Sequence, residues 1–309
     1  MPVKDNFDRE VKSIRVSVTQ DCNLNCFYCH REGQNGKDSK VSRGNYKKLF
    51  MLSKEIGITK IKFTGGEPLV RPEIIEIIKL AKQYFAEVSM TTNGLLLKEY
   101  AKLLKEAGLD RINISLLTLN AKTYEQITGS TYHSRVIESI HAAKNAGLEP
   151  IKINYVVMKG LNDHEFIDLL SFTAKEGLIL QVIELEVPRQ FEKLGWFKKY
   201  HKDLKEYEDH LEKWNVKTSY NTLHNRKKYF VPINNTIAEV ELVSPMHNTE
   251  FCAHCNRIRF TAKGELKSCL FTKDTVNILP YLNNGVADAQ ALEIFKTAVL
   301  SRRPYWQKP

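Results

Sequence analysis

Four segments of this chain repeat one pattern: Glu55-Ile-Gly-Ile-Thr-Lys-Ile-Lys-Phe63, Glu106-Ala-Gly-Leu-Asp-Arg-Ile-Asn-Ile114, Asn145-Ala-Gly-Leu-Glu-Pro-Ile-Lys-Ile153 and Lys175-Glu-Gly-Leu-Ile-Leu-Gln-Val-Ile183. Each puts a glycine where a helix ends in the left-handed conformation, then an apolar residue, then a short alternating strand. Helical periodicity precedes each joint, in Tyr46, Leu49, Phe50 and Ile56, in Tyr100, Leu103 and Leu104, in Val136, Ile140 and Ala143, and in Phe166, Leu169, Leu170 and Phe172. With further strands expected near residues 13–19 and 87–91, six strands alternate with helices. Alternation of this kind predicts an α/β fold with a parallel sheet, open or closed into a barrel, and function at the carboxyl ends of the strands.

Chemically informative residues stand at those ends. Cys22, Cys26 and Cys29 follow the first strand, Thr64-Gly-Gly-Glu-Pro68 the second and Thr91-Thr-Asn-Gly94 the third, while Ser115 closes the fourth, Lys152 and Asn154 lie in the fifth and Glu184 ends the sixth. Residues 188–229, rich in Lys, Tyr and Trp, break the pattern and are expected to form a helical connector with packed aromatics. Past a strand-like stretch at 237–243, the chain carries a second cysteine triad, Cys252, Cys255 and Cys269.

The first triad, C-x3-C-x2-C, offers three thiolates and no fourth. A structural zinc site wants four ligands, whereas an iron-sulfur cluster on three cysteines keeps one iron open for a non-protein ligand. Six cysteines also permit disulfides, but a charged amino terminus without an apolar signal core points to a reducing cytoplasm, and a chain of 309 residues has no need of staples. Zinc remains open at the second triad, C-x2-C-x13-C, where His254 or His247 is a candidate fourth ligand. Arg257 and Arg259, at i and i+2 of an extended segment, share one face and make a clamp for phosphate or carboxylate. The net charge of +10, from 46 Lys and Arg against 36 Asp and Glu, favours an anionic partner. Because the basic residues are spread along the chain, a small polyphosphate fits better than nucleic acid. No apolar run is long enough to span a bilayer.

The first triad, with Tyr28 before its last cysteine, resembles the signature of the radical S-adenosylmethionine (SAM) enzymes, and Thr64-Gly-Gly-Glu-Pro68 looks like their SAM-binding turn. Arg15-Val-Ser-Val-Thr, Thr-Thr-Asn-Gly and Cys252-Ala-His-Cys255-Asn-Arg-Ile-Arg with Cys269 make nearly the whole chain similar to the GTP 3',8-cyclase family, which opens molybdenum cofactor biosynthesis. The resemblance implies a partial (β/α)6 TIM-type barrel with a carboxyl-terminal extension carrying a second 4Fe-4S cluster, divided here as 1–190 and 191–309. It implies that Cys22, Cys26 and Cys29 hold the first 4Fe-4S cluster, whose open iron takes SAM. Tyr28, Gly66 and Ser115 would contact SAM. Arg15, Lys62, Thr91, Lys152, Arg257 and Arg259 would hold GTP, and Arg257 and Arg259 would act in catalysis. Cys252, Cys255 and Cys269 would bind the second cluster, whose open iron takes the guanine base.

The same resemblance implies a cytoplasmic monomer or homodimer, an electron donor such as ferredoxin or flavodoxin, and product transfer to cyclic pyranopterin monophosphate synthase. Departures from the family pattern are Gln181 and Glu186, where many relatives carry arginine and methionine, Leu117 in place of an acidic residue, and an ending Trp306-Gln-Lys-Pro309 without the Gly-Gly dipeptide. Two other readings are an auxiliary-cluster radical SAM enzyme acting on a peptide or another nucleotide, and a metal-stabilised nucleotide- or RNA-binding protein without turnover.

Overall fold

A computed structural model describes residues 2–34, 38, 41–214, 216–221 and 223–307. Part of the departure at the chain end, Lys308-Pro309, lies outside them. In chain order the first half forms β1 (Ser13–Ser17), α1 (Arg43–Glu55), β2 (Lys60–Thr64), α2 (Ile74–Lys82), β3 (Glu87–Thr92), α3 (Leu97–Glu106), β4 (Arg111–Ser115), α4 (Ala121–Thr128), α5 (His133–Asn145), β5 (Ile151–Val157), α6 (Phe166–Glu176) and β6 (Ile179–Glu184). The four repeated joints fold as the pattern predicts. Gly57, Gly108, Gly147 and Gly177 follow α1, α3, α5 and α6 with φ between 69° and 90°, a region that costs glycine no Cβ clash.

The second half forms α7 (Gly195–Tyr200), α8 (Lys205–Lys213), β7 (Lys217–Asn221), β8 (Arg226–Ile233), β9 (Thr236–Val243), α9 (Thr249–Ala253), β10 (Arg257–Phe260), β11 (Glu265–Lys267), β12 (Thr275–Asn277) and α10 (Asp288–Leu300). All strands join one sheet in the order β12-β11-β10-β1-β2-β3-β4-β5-β6-β9-β8-β7. β10 pairs parallel with β1, and β9 parallel with β6. The six strands of the repeat are therefore flanked on both sides by strands from the second half. The expected helical connector needs correcting, because only its first part is helical. From Lys217 the chain turns into β7 and β8, an antiparallel pair whose second strand zips onto β9 with Tyr229 opposite Val240. Phe197, Tyr207 and Tyr229 are packed, whereas Trp214 and Tyr220 are exposed.

Alternation along the strands sorts apolar from polar. Ile14, Val16, Ile61, Phe63, Val88, Met90, Ile112 and Ile114 are fully buried in the main apolar core, each worth about 1.5–3 kcal/mol when removed from water. The intervening residues, Arg15, Lys62, Thr91, Asn113, Lys152 and Arg259, point to the other face, into the barrel. No helix among the described residues is long and apolar enough to cross a membrane.

Candidate active site

Strand register brings the cations together. Arg259 on β10 pairs with Arg15 on β1, and Arg15 with Lys62 on β2, a row of three positive side chains on neighbouring strands. One cavity at this face is lined by Arg15, Tyr28, Cys29, Lys62, Thr91, Ser115, Lys152, Cys252, Cys255, Arg257, Arg259 and Cys269. Cys22, Cys26 and Gly66 are not among its lining residues, and Gly65 lines it beside Gly66.

All six cysteines are free. In the first triad, the Leu24 amide donates to Cys22 Sγ and the Arg31 amide to Cys29 Sγ, both at 3.4 Å, and Asn93 Nδ2 reaches Cys22 Sγ at 3.8 Å. Three N–H donors on two sulfurs of one loop, Cys22 and Cys29, suit thiolates bound to an iron-sulfur cluster. Burial pushes the Cys26 thiol up to about 12, so without a cation the sulfur stays protonated. The Gly-Gly turn is strapped to the same loop: the Gly66 amide donates to Thr19 O and the Glu67 amide to Asp21 O, each at 2.8 Å. A Cβ on Gly66 would stand 2.1 Å from Asp21 O, so only glycine fits. Glu67 accepts from the Leu69 and Asn93 amides and from Thr92 Oγ1, while burial raises it to about 7.

The predicted anion site already holds carboxylates. Glu32, just past the first triad, lies between Arg15 (3.3 Å) and Arg259, and Thr64 Oγ1 donates to it at 3.1 Å. Burial would raise its pKa, but Arg15 and Arg259 outweigh that and hold it at about 2. Lys152 pairs with buried Glu241 on β9, which also takes Gln181 Nε2 at 3.0 Å and faces Arg226 at 3.4 Å. Lys62 Nζ donates to Asn113 Oδ1 at 2.6 Å, and burial followed by Arg111 and Arg15 lowers its pKa strongly. It is not the solvated edge lysine that a lone Lys in a strand suggests. Burial, then Arg15 and Arg259, likewise press on Arg257.

At the second triad, the Trp306 amide donates to Cys252 Sγ at 3.4 Å and Arg302 Nη2 donates to Cys255 O at 2.5 Å. Burial opposes ionisation of Cys255, yet Arg302 and Arg257 bring its thiol below the usual value. Both histidines considered as a fourth zinc ligand are engaged elsewhere. His254 Nδ1 contacts Glu250 O at 3.0 Å, and the His247 ring lies against Glu192 at 2.9 Å and on Trp306 at 4.1 Å.

Three cavity groups escape a reading of the sequence, Glu32, His224 and Arg226, and so does Glu241, buried behind Lys152. Glu241 is the one with a visible signal, a charge flanked by Val240 and Leu242 inside β9. The departed positions each have a local account. Gln181 is bonded to Glu241, Glu186 faces His30 Nε2 at 3.6 Å and is raised to about 7 by burial, and Leu117 packs with Ile127 and Met158, where an acidic group would be desolvated.

Residues 16–173 match the Radical SAM superfamily and residues 178–308 match Molybdenum Cofactor Synthesis C. The chain is 48% identical, over 98% of its own length and 99% of the relative's, to the "Probable GTP 3',8-cyclase" of Thermococcus kodakarensis. This chain belongs to the GTP 3',8-cyclase family of the radical SAM superfamily. Further relatives of the same name are 48% identical in Pyrococcus horikoshii (98% of this chain, 97% of that one) and 40% identical in Archaeoglobus fulgidus (99% of each). Among solved structures, Streptococcus suis SuiB bound to S-adenosylmethionine superposes with a TM-score of 0.66 at 16% identity, covering 91% of this chain and 68% of that one. The structure of anSMEcpe with bound AdoMet and Cp18Cys peptide gives 0.61 at 19% identity, covering 94% and 84%. At these identities the likeness establishes the radical SAM fold. Membership of the superfamily brings SAM and one 4Fe-4S cluster, and the donor set of the first triad fits that cluster.

Proposed function

We propose that this protein converts GTP to (8S)-3',8-cyclo-7,8-dihydroguanosine 5'-triphosphate: a hydrogen atom leaves C3' of the ribose, C3' bonds to C8 of guanine, and one electron from a reductant with one proton completes the 7,8-dihydro base. The observation that carries this reading is the in-register row Arg259-Arg15-Lys62 between two cysteine triads at one cavity. A triphosphate is the small anion that such a row, with Arg257 and Lys152 beside it, is suited to bind. Cys22, Cys26 and Cys29 would hold the cluster that, once reduced, cleaves SAM and supplies the hydrogen-abstracting radical. Tyr28, Gly66 and Ser115 would orient SAM, and Thr91 would join the cations around GTP.

Cys252, Cys255 and Cys269 would carry a second 4Fe-4S cluster facing the base. Among the described residues no three His, Cys, Asp or Glu side chains converge closely enough to hold a single metal ion. Three free cysteines, with His254 and His247 engaged elsewhere, suit a cluster with one open iron better than a tetrahedral zinc, which wants four ligands. The protein's own part is to position both ligands and keep water from the reacting carbons. In this reading residues 1–190 generate the radical and hold part of the triphosphate, and residues 191–309 add Arg257, Arg259 and the second cluster. A cytoplasmic monomer or dimer, a ferredoxin- or flavodoxin-like donor and hand-over of the product to cyclic pyranopterin monophosphate synthase complete the proposal.

Anaerobic incubation with SAM, a reductant and GTP tests it, together with iron and zinc analysis. The expected result is 5'-deoxyadenosine and a cyclised guanosine product with about 8 irons per chain, four for each cluster. Deoxyadenosine without cyclised guanosine would point to a different substrate, and one zinc without iron would end the catalytic reading.

A further inference from the structure

We propose that His224 is a base-contacting residue of the nucleotide site, donating one hydrogen bond from its imidazole to an acceptor on the purine edge. The inference rests on the GTP reading above and assigns a residue outside the barrel strands and both triads. His224 lies in the turn Leu223–Asn225 between β7 and β8 and lines the same cavity as Cys252, Cys255 and Arg257.

Three independent features aim this ring at a ligand. Its backbone amide donates to His254 O at 3.1 Å, inside the Cys252 to Cys255 turn, so the residue is tied to the segment expected to face the base. Its ring stacks on Phe251 with centroids 3.7 Å apart and planes 21° apart, which fixes the ring plane. The residue is 8% exposed, and its ring nitrogens, which make no hydrogen bond among the described residues, open to the cavity. A ring fixed at a cavity wall with its donor unused is placed to bond a ligand that enters there.

The backbone adds to this. His224 has φ 62° and ψ 16°, a left-handed conformation uncommon for a residue with a side chain. Such a conformation persists where surrounding contacts hold it, and it clusters at ligand sites. Leu223 at the start of the turn is held by Asn221 Oδ1 at 3.0 Å, and Arg226 Nε donates to Leu223 O at 3.3 Å. Burial and the guanidiniums of Arg257 and Arg226 keep the imidazole neutral. A neutral ring with one N–H suits a base edge, while the phosphates go to the charged row on β10, β1 and β2.

The test uses the anaerobically reconstituted holoenzyme with GTP as the probe, and compares wild type with His224→Ala, His224→Gln and His224→Asn. His224→Ala is expected to raise KM for GTP about tenfold, the loss of one hydrogen bond in a dry site, and the amide-bearing Gln or Asn variant to recover a good part of that loss. Equilibrium binding is expected to show the same order, with preference for GTP over 2,6-diaminopurine riboside triphosphate, which carries an amino group in place of O6, reduced in His224→Ala. Iron content per chain reports folding. If the alanine variant loses its clusters, the asparagine variant decides, because asparagine tolerates the left-handed backbone. A wild-type KM in His224→Ala, or equal losses in the Ala, Gln and Asn variants, would overturn the inference. A wild type that binds GTP without cyclising it would fail the cyclase reading instead, and the binding series would still decide His224.

Discussion

Glu32 closes the clamp made by Arg15 and Arg259, and in the proposed reading a substrate phosphate would have to compete with its carboxylate for the same guanidiniums. Glu32→Gln removes that competitor while keeping the hydrogen-bonding shape. Inorganic tripolyphosphate is therefore expected to bind the variant about tenfold more tightly than the wild type at low salt, as read by calorimetric titration. Stability should move the other way. The folded pKa of about 2 lies below the ordinary 4.5, so the pair stabilises the fold fully above pH 4.5 and loses that contribution as pH falls toward 2. The contribution is on the order of 3 kcal/mol. Urea melts of wild type and Glu32→Gln should differ most near pH 6 and converge toward pH 2, and curves that stay parallel over that range would refute the assignment.

Gly66 makes a second prediction at this scale. Its Cβ would collide with the Asp21 carbonyl, which belongs to the loop leading into Cys22. Gly66→Ala has to push the turn off that loop, and SAM cleavage, followed as 5'-deoxyadenosine, is expected to fall by about 100-fold or more. A variant within about threefold of wild type would remove Gly66 from the SAM site.

Among the elements, the six strands of the repeat were legible because each rests on local signals. The glycines at 57, 108, 147 and 177 end a helix, and alternation starts the strand within four residues. What lay beyond reach was pairing over long separation. β8 reads as a basic, aromatic stretch, and only the edge of β9 makes it a strand. Lys152 and Glu241 stand far apart in the chain, so a lysine that looked free for phosphate is already paired. Arg257 and Arg259 were legible as two guanidiniums on one face, but their place beside Arg15 follows from β10 joining β1 in parallel register. That register makes β10 a testable unit. Arg257→Ala and Arg259→Ala should each raise KM for GTP at least about tenfold, with cluster iron retained. Arg259→Lys should recover little of the loss, because an ammonium cannot span Glu32 and a phosphate as a planar guanidinium can. Full recovery by lysine would reduce the clamp to simple charge.

At the scale of the whole molecule, the proposed division at 190 cuts through one sheet. β9 covers the free edge of β6 and β10 that of β1, so the first half alone would expose two parallel edges that hydrogen-bond in the intact protein. It would also lose Glu241, leaving Lys152, 5% exposed in the whole chain, without its counter-charge. The loop after the first triad would be freed as well, since Lys267 Nζ donates to Gly33 O at 2.5 Å and the Ala262 amide to Gln34 Oε1 at 2.9 Å. Exposed strand edges and an unpaired buried charge both favour association over folding. A chain ended at residue 190 is thus expected to give less than about a tenth of the soluble yield of the full chain and to elute as aggregate in size-exclusion chromatography. A monodisperse monomer that retains native helical circular dichroism and binds iron would show that the radical-generating half folds on its own, and that the flanking strands serve the substrate alone.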